Sequence, residues 1–425
     1  MSSHAKIALI LMLLLQNTIS VAEPSVLTLQ SVVELAVRDN PNLAQIKARS
    51  EAMAAIPSQV GTLPDPIISF NALNLPVDTF DTRQVAHTQM QGGITQAIPF
   101  PGKLALREQA ATYEAEAAAQ NVTEARWRLQ RDVKKTWWSL FYLDRALQII
   151  KANQNLLRQF VKIAQTKYEV GQGLQQDVLL AQLELSKFLD SELKLAGARR
   201  NFAAIINALL DKPSNTPVKL PEQVHEGLPT LLAEEILYQQ AEQYRALLAV
   251  QHQFINAAQS RLDLAKKDYY PDFKVGAFYG GRDDNLAGED RPGFVSFKLS
   301  MNLPIFTDSK QSKAVDQRTS ELMQQRYGLK DEWNRVRSQI SMAHSDFHQT
   351  KNQAILFKSG IIPQARQTVA SMLAGYQVNK VDFLNLVRSQ ITLFNYETQY
   401  WKALSSANQA LAELTAAVGK EQIYE

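Results

Sequence analysis

Residues 66–70 read Pro-Ile-Ile-Ser-Phe, and residues 271–275, which read Pro-Asp-Phe-Lys-Val, follow them at a spacing of 205 residues. The same spacing separates residues 98–100 (Ile-Pro-Phe) from residues 303–305 (Leu-Pro-Ile). Self-similarity at a fixed spacing is typical of an internal repeat. The sequence therefore predicts a duplicated structural unit whose two copies have diverged.

Repeated residues and motifs further along the chain indicate a difference between the two copies. Asp177 and Asp382 also lie 205 residues apart, whereas the Tyr-x-Val triplets that begin at Tyr168 and Tyr376 lie 208 apart. This difference predicts that the second hairpin turn is shorter than the first by three residues. A proline-rich linker separates the copies, so we expect a signal peptide at 1–22, a first repeat at 23–210, the linker at 211–229, a second repeat at 230–419 and a tail at 420–425.

Each copy predicts the same series of elements. An opening helix (29–60 or 231–267) precedes two extended segments, a very long helix (103–167 or 309–373) and a closing helix (177–210 or 382–418). A helix of about 65 residues would be roughly 100 Å long, since each residue adds ~1.5 Å. Apolar residues at heptad-like spacing, such as Leu185 and Leu195 or Val387 and Phe394, predict that the helices pair as coiled coils.

The extended segments predict strands that cross a membrane. Val295, Phe297 and Leu299 alternate with polar residues, and each of the four segments has about the 9–11 residues that a tilted membrane strand needs. Four strands cannot close a membrane-spanning barrel, because open edges would leave backbone groups unpaired in hydrocarbon. Several copies of the chain must therefore pool their strands in a cyclic oligomer.

Composition narrows the function classes. Residues 1–22 combine Lys6, an apolar stretch and small residues before Glu23, which predicts a cleavable secretory signal. No later segment is long and apolar enough for a membrane helix, so we expect a soluble, peripheral or β-barrel chain. The chain has no cysteine, and its net charge of +3 comes from 45 basic and 42 acidic residues without a basic run, which gives no support to nucleic-acid binding.

Several motifs resemble the TolC-like outer-membrane efflux proteins over essentially the whole mature chain. They are Asp-Asn-Pro at 39–41, Leu-Pro-Asp-Pro at 63–66, Gln-Ala-Ile-Pro-Phe-Pro-Gly-Lys at 96–103, and Tyr-x-Val with Asp-x-Leu at each turn. The resemblance implies a mostly α fold in which coiled-coil helices form a periplasmic α-barrel. The four strands of each protomer would pool into one β-barrel of a homotrimer in outer-membrane lipid. The resemblance also implies that the protein docks on a periplasmic adaptor (membrane fusion) protein and an inner-membrane RND-type pump.

The resemblance also suggests site residues at the two turns. Some family members narrow the tunnel with acidic residues, so Asp382, Asn385 and Asp177 are constriction candidates, although Asn385 stands where a second acid is often found. A ring with one carboxylate per protomer would carry half the charge of a ring with two. The turn residues match the family's adaptor-docking tips, and the candidates are Val170, Gly171, Gln172, Val378, Asn379 and Lys380.

Other chemistry has little support in the sequence. His344 and His348 lie four residues apart on a predicted helix and share a face, which makes them a weak metal-site candidate. Phosphate-binding loops and nucleophile motifs do not appear, so we expect no cofactor and no enzymatic activity.

The leading function hypothesis is a passive outer-membrane exit duct for a tripartite exporter, and the Leu-Pro-Asp-Pro and Ile-Pro-Phe-Pro segments most resemble members that serve heavy-metal cation pumps. A duct for drug efflux or for type I protein secretion remains an alternative. A periplasmic coiled-coil structural protein or adhesin is an alternative of another class.

Overall fold

The computed structural model describes residues 26–424, so the predicted signal peptide lies outside the described residues. The first half contains three short helices, a strand pair and two long helices. Their bounds are α1 Leu29–Asp39, α2 Pro41–Ala54, α3 Ile56–Gly61, β1 Ile67–Leu73, β2 Gln89–Ile98, α4 Lys103–Glu169 and α5 Gln175–Leu209.

The second half contains a matching order of elements. Their bounds are α6 Glu234–Tyr244, α7 Ala246–Lys267, β3 Phe273–Gly281, β4 Phe294–Met301, α8 Gln311–Leu356, a π-helical turn Phe357–Ile361, α9 Ile362–Gln377 and α10 Phe383–Val418. The predicted mostly helical fold with four strands is therefore confirmed. Within residues 26–424, none of the helices combines the length and apolar character needed to cross a membrane.

The opening helix of each half is broken, where the sequence predicted one continuous helix. The first break lies at Asn40, because Pro41 disfavours helical backbone at the residue before it. The second lies at Arg245, 205 residues later, where no proline follows. Both residues are buried and have similar backbone angles, φ −67° and ψ 120° at Asn40 and φ −71° and ψ 108° at Arg245.

Each break is held by the side chain at the break. Asn40 Nδ2 donates a hydrogen bond to the Leu209 carbonyl oxygen at 3.1 Å. The Arg245 guanidinium donates to the Ala416 carbonyl oxygen and pairs with the buried Glu124 carboxylate at 3.0 Å. A buried charge needs such partners to offset its desolvation, so the Arg245 break depends on tertiary contacts that local sequence does not reveal.

The second long helix is interrupted, where the sequence predicted an unbroken helix to residue 373. A π-helical turn at Phe357–Ile361 precedes Pro363, and the Ile362 N–H bonds to the Phe357 carbonyl oxygen five residues back. Proline lacks an N–H and its ring crowds the preceding turn. Widening that turn accommodates Pro363, and the helix then continues to Gln377.

The predicted difference in turn length is wrong. Five residues separate α4 from α5 (170–174), and five separate α9 from α10 (378–382). The three additional residues instead lie upstream, because the connection from Pro99 to Lys103 spans four positions while that from Pro304 to Gln311 spans seven. Asp177, the third residue of α5, is therefore equivalent to Asn385 in α10, and Asp382 is equivalent to Leu174.

The four strands form one antiparallel sheet in the order β1-β2-β3-β4. The central pairing joins the two halves, with Ile94 opposite Ala277 and Ile98 opposite Phe273. At the helical end of this pairing, the buried Lys103 ammonium contacts Asp268 at 3.1 Å and Asp272 at 3.0 Å. This ion pair fixes the start of α4 beside the start of β3.

The chain divides into two compact units. One unit comprises residues 26–40, 132–228 and 347–409 and contains both turns; the other comprises residues 41–131, 229–346 and 410–424 and contains the sheet. In the unit with the turns, Trp137, Phe141 and Trp401 form an aromatic cluster, and the Trp137 indole N–H donates to the Leu27 carbonyl oxygen at 2.9 Å.

Candidate functional site

The first turn ends α4 with a left-handed residue. Gly171 has φ 74°, and the Gln172 N–H bonds to the Lys167 carbonyl oxygen at 2.8 Å. This six-to-one hydrogen bond is the Schellman closure of a helix, which favours glycine at the left-handed position. The predicted docking residues Val170, Gly171 and Gln172 are all exposed on this turn.

The second turn has the same backbone but different side chains. Asn379 has φ 60°, and the Lys380 N–H bonds to the Gly375 carbonyl oxygen at 2.8 Å. Asparagine tolerates this conformation better than most residues, as expected from the sequence. Val378, Asn379 and Lys380 are exposed here, so the unit presents all six candidate docking residues to its surface.

Lys167 connects the two turns. Its ammonium donates hydrogen bonds to the Tyr376 carbonyl oxygen at 2.7 Å and to Asn379 Oδ1, and it lies 4.3 Å from the centroid of the Tyr376 ring. A lysine that bonds the last carbonyls of a helix also complements the helix dipole. Sequence reasoning missed this contact, because it joins residues 209 positions apart.

The candidate constriction residues lie beside the turns. Asp177 is half-buried, whereas Asp382 and Asn385 are exposed. Burial, with a smaller contribution from the nearby Asp382 carboxylate, raises the pKa of Asp177 above its ordinary value, although a hydrogen bond from the Leu174 backbone and the Lys167 ammonium oppose the change. The contact with Leu174 also means that Asp177 caps the first turn of α5, so this carboxylate has a structural role.

An apolar cluster packs between the helices next to the two turns. Phe160 and Phe383 pack with their ring centroids 6.4 Å apart, and Tyr376 lies 5.2 Å from Phe383. Among these apolar side chains, buried Gln390 donates to Asn153 Oδ1 at 2.6 Å. A buried polar pair between two helices fixes their register, so α4 and α10 hold the turns in a defined alignment.

The histidine pair gains no support as a metal centre. In the part of the chain that the structure describes, no three His, Cys, Asp or Glu side chains are grouped so that they could hold a metal ion. His344 and His348 lie on α8 as predicted.

The outer strands expose a large apolar face. Phe297 on β4 and Phe70 on β1 are each 84% exposed, and Val295, Leu299 and Met301 line the same face of β4 as Phe297. Soluble monomers rarely expose an apolar patch of this kind. Alternating apolar residues on antiparallel strands are typical of the lipid-facing side of a membrane sheet.

The exposed apolar face is typical of a membrane β-sheet protein. Comparisons with solved structures show that the fold is the one found in outer-membrane channel proteins. The outer-membrane channel OprN superposes with a TM-score of 0.79 at 16% identity, over 92% of this chain and 89% of OprN. The transmembrane channel protein CusC gives a TM-score of 0.78 at 15% identity, over 93% of each chain.

Sequence comparison identifies the family. The profile of the outer membrane efflux protein family matches residues 32–210 and 237–420, and the chain belongs to this family. The cobalt-zinc-cadmium resistance protein CzcC of Cupriavidus metallidurans is 22% identical over 396 residues, which is 93% of this chain and 90% of CzcC. The protein is therefore an outer-membrane efflux protein, and it is not an enzyme.

Proposed function

We propose that this protein is the outer-membrane duct of a tripartite heavy-metal cation exporter and that it works as a homotrimer. Its partners would be a periplasmic adaptor protein and an inner-membrane RND-type pump, which would supply the energy. The observation that carries the metal substrate class is the likeness to CzcC, a cobalt-zinc-cadmium resistance protein, along nearly the whole of both chains.

The substrate class can be tested by deletion in the native host. Loss of the gene should increase sensitivity to cobalt, zinc and cadmium salts and raise their cellular content, and a plasmid copy should restore both. Sensitivity to drugs alone, with unchanged metal content, would refute the metal assignment and favour a drug duct. Loss of an exported protein from the medium would favour the secretion alternative.

The acidic residues at the turns support a cation-attracting constriction. Asp177 and Asp382 are close enough for the charge of one to affect the other. Lys167 lies beside them, so the local charge is not purely negative. In the trimer, three copies of this arrangement would surround the tunnel and attract cations by summed Coulomb interactions.

Single-channel recording in a planar bilayer tests the constriction. Asp177→Ala and Asp382→Ala should each reduce cation preference, and the double variant should reduce it further. Asp190→Ala is a matched control, because Asp190 is an exposed acid of α5 that pairs with Lys194 away from the turns. Unchanged selectivity in the double variant would place the constriction elsewhere.

The exposed valines of the turns support adaptor docking. Val170 and Val378 occupy equivalent positions and are each 62% exposed, so both turns offer a partner the same apolar side chain. Val170→Ser with Val378→Ser should weaken binding of the host's adaptor protein to the detergent-solubilised channel. Leu193→Ser removes an exposed apolar side chain of α5 outside the turns and should leave binding unchanged; equal loss in both variants would contradict docking at the turns.

A further inference from the structure

The Lys267 side chain lies against a pair of stacked aromatic rings where the sheet meets the helices. Phe100, between β2 and α4, stacks on Tyr270, between α7 and β3, with ring centroids 4.5 Å apart and ring planes 14° apart. The Lys267 ammonium lies 5.6 Å from the centroid of the Phe100 ring and 6.0 Å from that of the Tyr270 ring. An ammonium is attracted to the face of an aromatic ring, so the ring pair holds this charge in place.

The Lys267 ammonium is not neutralised by a carboxylate. Asp268 and Asp272 instead contact the buried Lys103 ammonium, at 3.1 Å and 3.0 Å. Within residues 26–424, the Lys267 side chain forms no hydrogen bond or ion pair. An ammonium carries three N–H donors and bonds most strongly to anionic acceptors. The ring pair therefore offers a positioned cation to an anion from outside the chain.

This cation stands at one end of the exposed apolar face of the sheet. Ile98 lies opposite Phe273, and Phe273 lies opposite Met301, so these three residues form the last row of that face before the helices. Met301 is 53% exposed, and Phe100 follows Ile98 by two residues. Aromatic side chains at the ends of membrane strands lie at the level of the lipid headgroups. The Lys267 ammonium is therefore at headgroup level, beside the apolar face.

We propose that Lys267 binds the phosphate of a phospholipid in the membrane leaflet next to the helices and that the ring pair positions its ammonium. The phosphate accepts hydrogen bonds from the ammonium, while the acyl chains extend along the apolar face. A lysine near the end of a membrane segment packs its stem on apolar surface and keeps its charge at the headgroups. The inference goes beyond the proposed function, because it depends neither on the cargo nor on the adaptor and the pump.

The repeat does not duplicate this site. The residues at the 205-residue spacing from its three side chains are Thr62, Asp65 and Ile305. They supply neither a cation nor a pair of rings, and the Asp65 carboxylate would repel a phosphate. The repeat therefore gives one such site per chain instead of two.

Lys266 provides a matched control in the same turn. Both lysines lie in the last turn of α7, where a positive charge complements the helix dipole. Lys266 is exposed and pairs with Asp263 at 2.9 Å. Lys266→Ala therefore removes an equal charge from the same helix end but leaves the cation at the ring pair in place.

Native mass spectrometry of the delipidated mature protein in detergent counts the lipids bound to each chain. In a titration with dioleoyl phosphatidylglycerol, Lys267→Ala should bind the first lipid about tenfold more weakly than the unaltered protein, since a charge-assisted hydrogen bond to phosphate is lost. Lys266→Ala should bind this lipid as the unaltered protein does. Lys267→Arg should keep most of the affinity, because it retains the charge and the donors.

Three further measurements identify the group that is bound and the part that the rings play. Dioleoylglycerol has the same acyl chains without the phosphate, so the unaltered protein and Lys267→Ala should bind it equally. Glycerol 1-phosphate has the phosphate without the chains and should bind far more weakly than the phospholipid. Phe100→Leu with Tyr270→Leu keeps Lys267 but removes the ring pair, and it should also weaken phospholipid binding.

The outcomes that would overturn the site are distinct. Equal phospholipid binding by the unaltered protein and Lys267→Ala would overturn it, and so would an equal loss in Lys266→Ala. An equal loss of dioleoylglycerol binding in Lys267→Ala would overturn the phosphate, and glycerol 1-phosphate binding as tightly as phospholipid would overturn the lipid. Lys267→Met, which keeps an unbranched stem, replaces Lys267→Ala if the latter migrates differently from the unaltered protein in detergent. A drug or protein cargo in the deletion test would refute the proposed metal substrate and leave this site intact.

Discussion

Replacing Lys167 with methionine should loosen the second turn without unfolding the helices around it. The Lys167 ammonium holds the Tyr376 carbonyl oxygen at 2.7 Å, bonds Asn379 Oδ1 and lies 4.3 Å from the Tyr376 ring centroid. Methionine keeps an unbranched stem of similar length but removes the charge and all three donors. The substitution therefore isolates the contact between the turns.

The size of the effect follows from these contacts. A hydrogen bond to a charged group contributes ~1.5–3 kcal/mol, and an exposed cation–π contact about 0.5–1 kcal/mol. Lys167 is only partly buried, so the lower ends apply and the loss is about 2 kcal/mol in the free energy of local opening. Since 1.4 kcal/mol corresponds to a factor of ten, the open population of the turn should rise roughly 30-fold.

Amide hydrogen exchange measures this population directly. The Asn379 and Lys380 amides, which bond to the carbonyl oxygens of Tyr376 and Gly375, should exchange about 30-fold faster in Lys167→Met. Lys162→Met is the control, because Lys162 is an exposed lysine of the same helix. Equal exchange at these amides in both variants would refute a stabilising contact between the turns.

Three further predictions concern stability. Glu124→Gln removes the negative charge that pairs with the buried Arg245 guanidinium and should lower the free energy of unfolding by about 3–5 kcal/mol, measured by denaturant titration in detergent. A loss below about 1 kcal/mol would contradict a dependence on this ion pair. Trp137→Phe removes the indole donor to the Leu27 carbonyl oxygen and should cost about 1–3 kcal/mol in the same assay, with no loss if water replaces the donor. The pKa of Asp177 is raised in the folded state, so its contribution to stability is present below the pKa of the unfolded carboxyl and is lost as pH rises through the folded pKa. Asp177→Asn should flatten the pH dependence of unfolding in that window, and parallel curves for the two proteins would contradict this.

Much of the fold could be predicted from the sequence, because its signals are local and periodic. The long helices lack helix-breaking residues over most of their length, and the strands alternate apolar and polar side chains. Proline indicates only one of the two breaks in the opening helices. The break before Pro41 follows from a known steric rule and could have been predicted, whereas the break at Arg245 depends on Glu124 and the Ala416 carbonyl oxygen, which lie more than 120 residues away in the chain.

The candidate site was predicted less completely. Gly171 and Asn379 adopt the left-handed conformation expected from their residue types. The correspondence of Asp177 with Asp382 was wrong because identical residues at equal spacing suggested equivalent positions, while the three extra residues lie in the connection before α8. Lys167 was missed because a lysine near a helix end is common, and only the fold places it beside the second turn.

Equivalent positions in the two turns share a backbone conformation but differ in side-chain chemistry. Gly171 and Asn379 share a left-handed conformation, but only the asparagine offers an acceptor to Lys167. The exposed valine before each of them is common to both turns. A partner that meets both turns in the same way can use only what they share, so adaptor docking is expected to depend on the valines and the turn backbone. The charges that differ between the turns, such as the Asp177 carboxylate in place of Asn385, would then be available to act on cations in the proposed trimer.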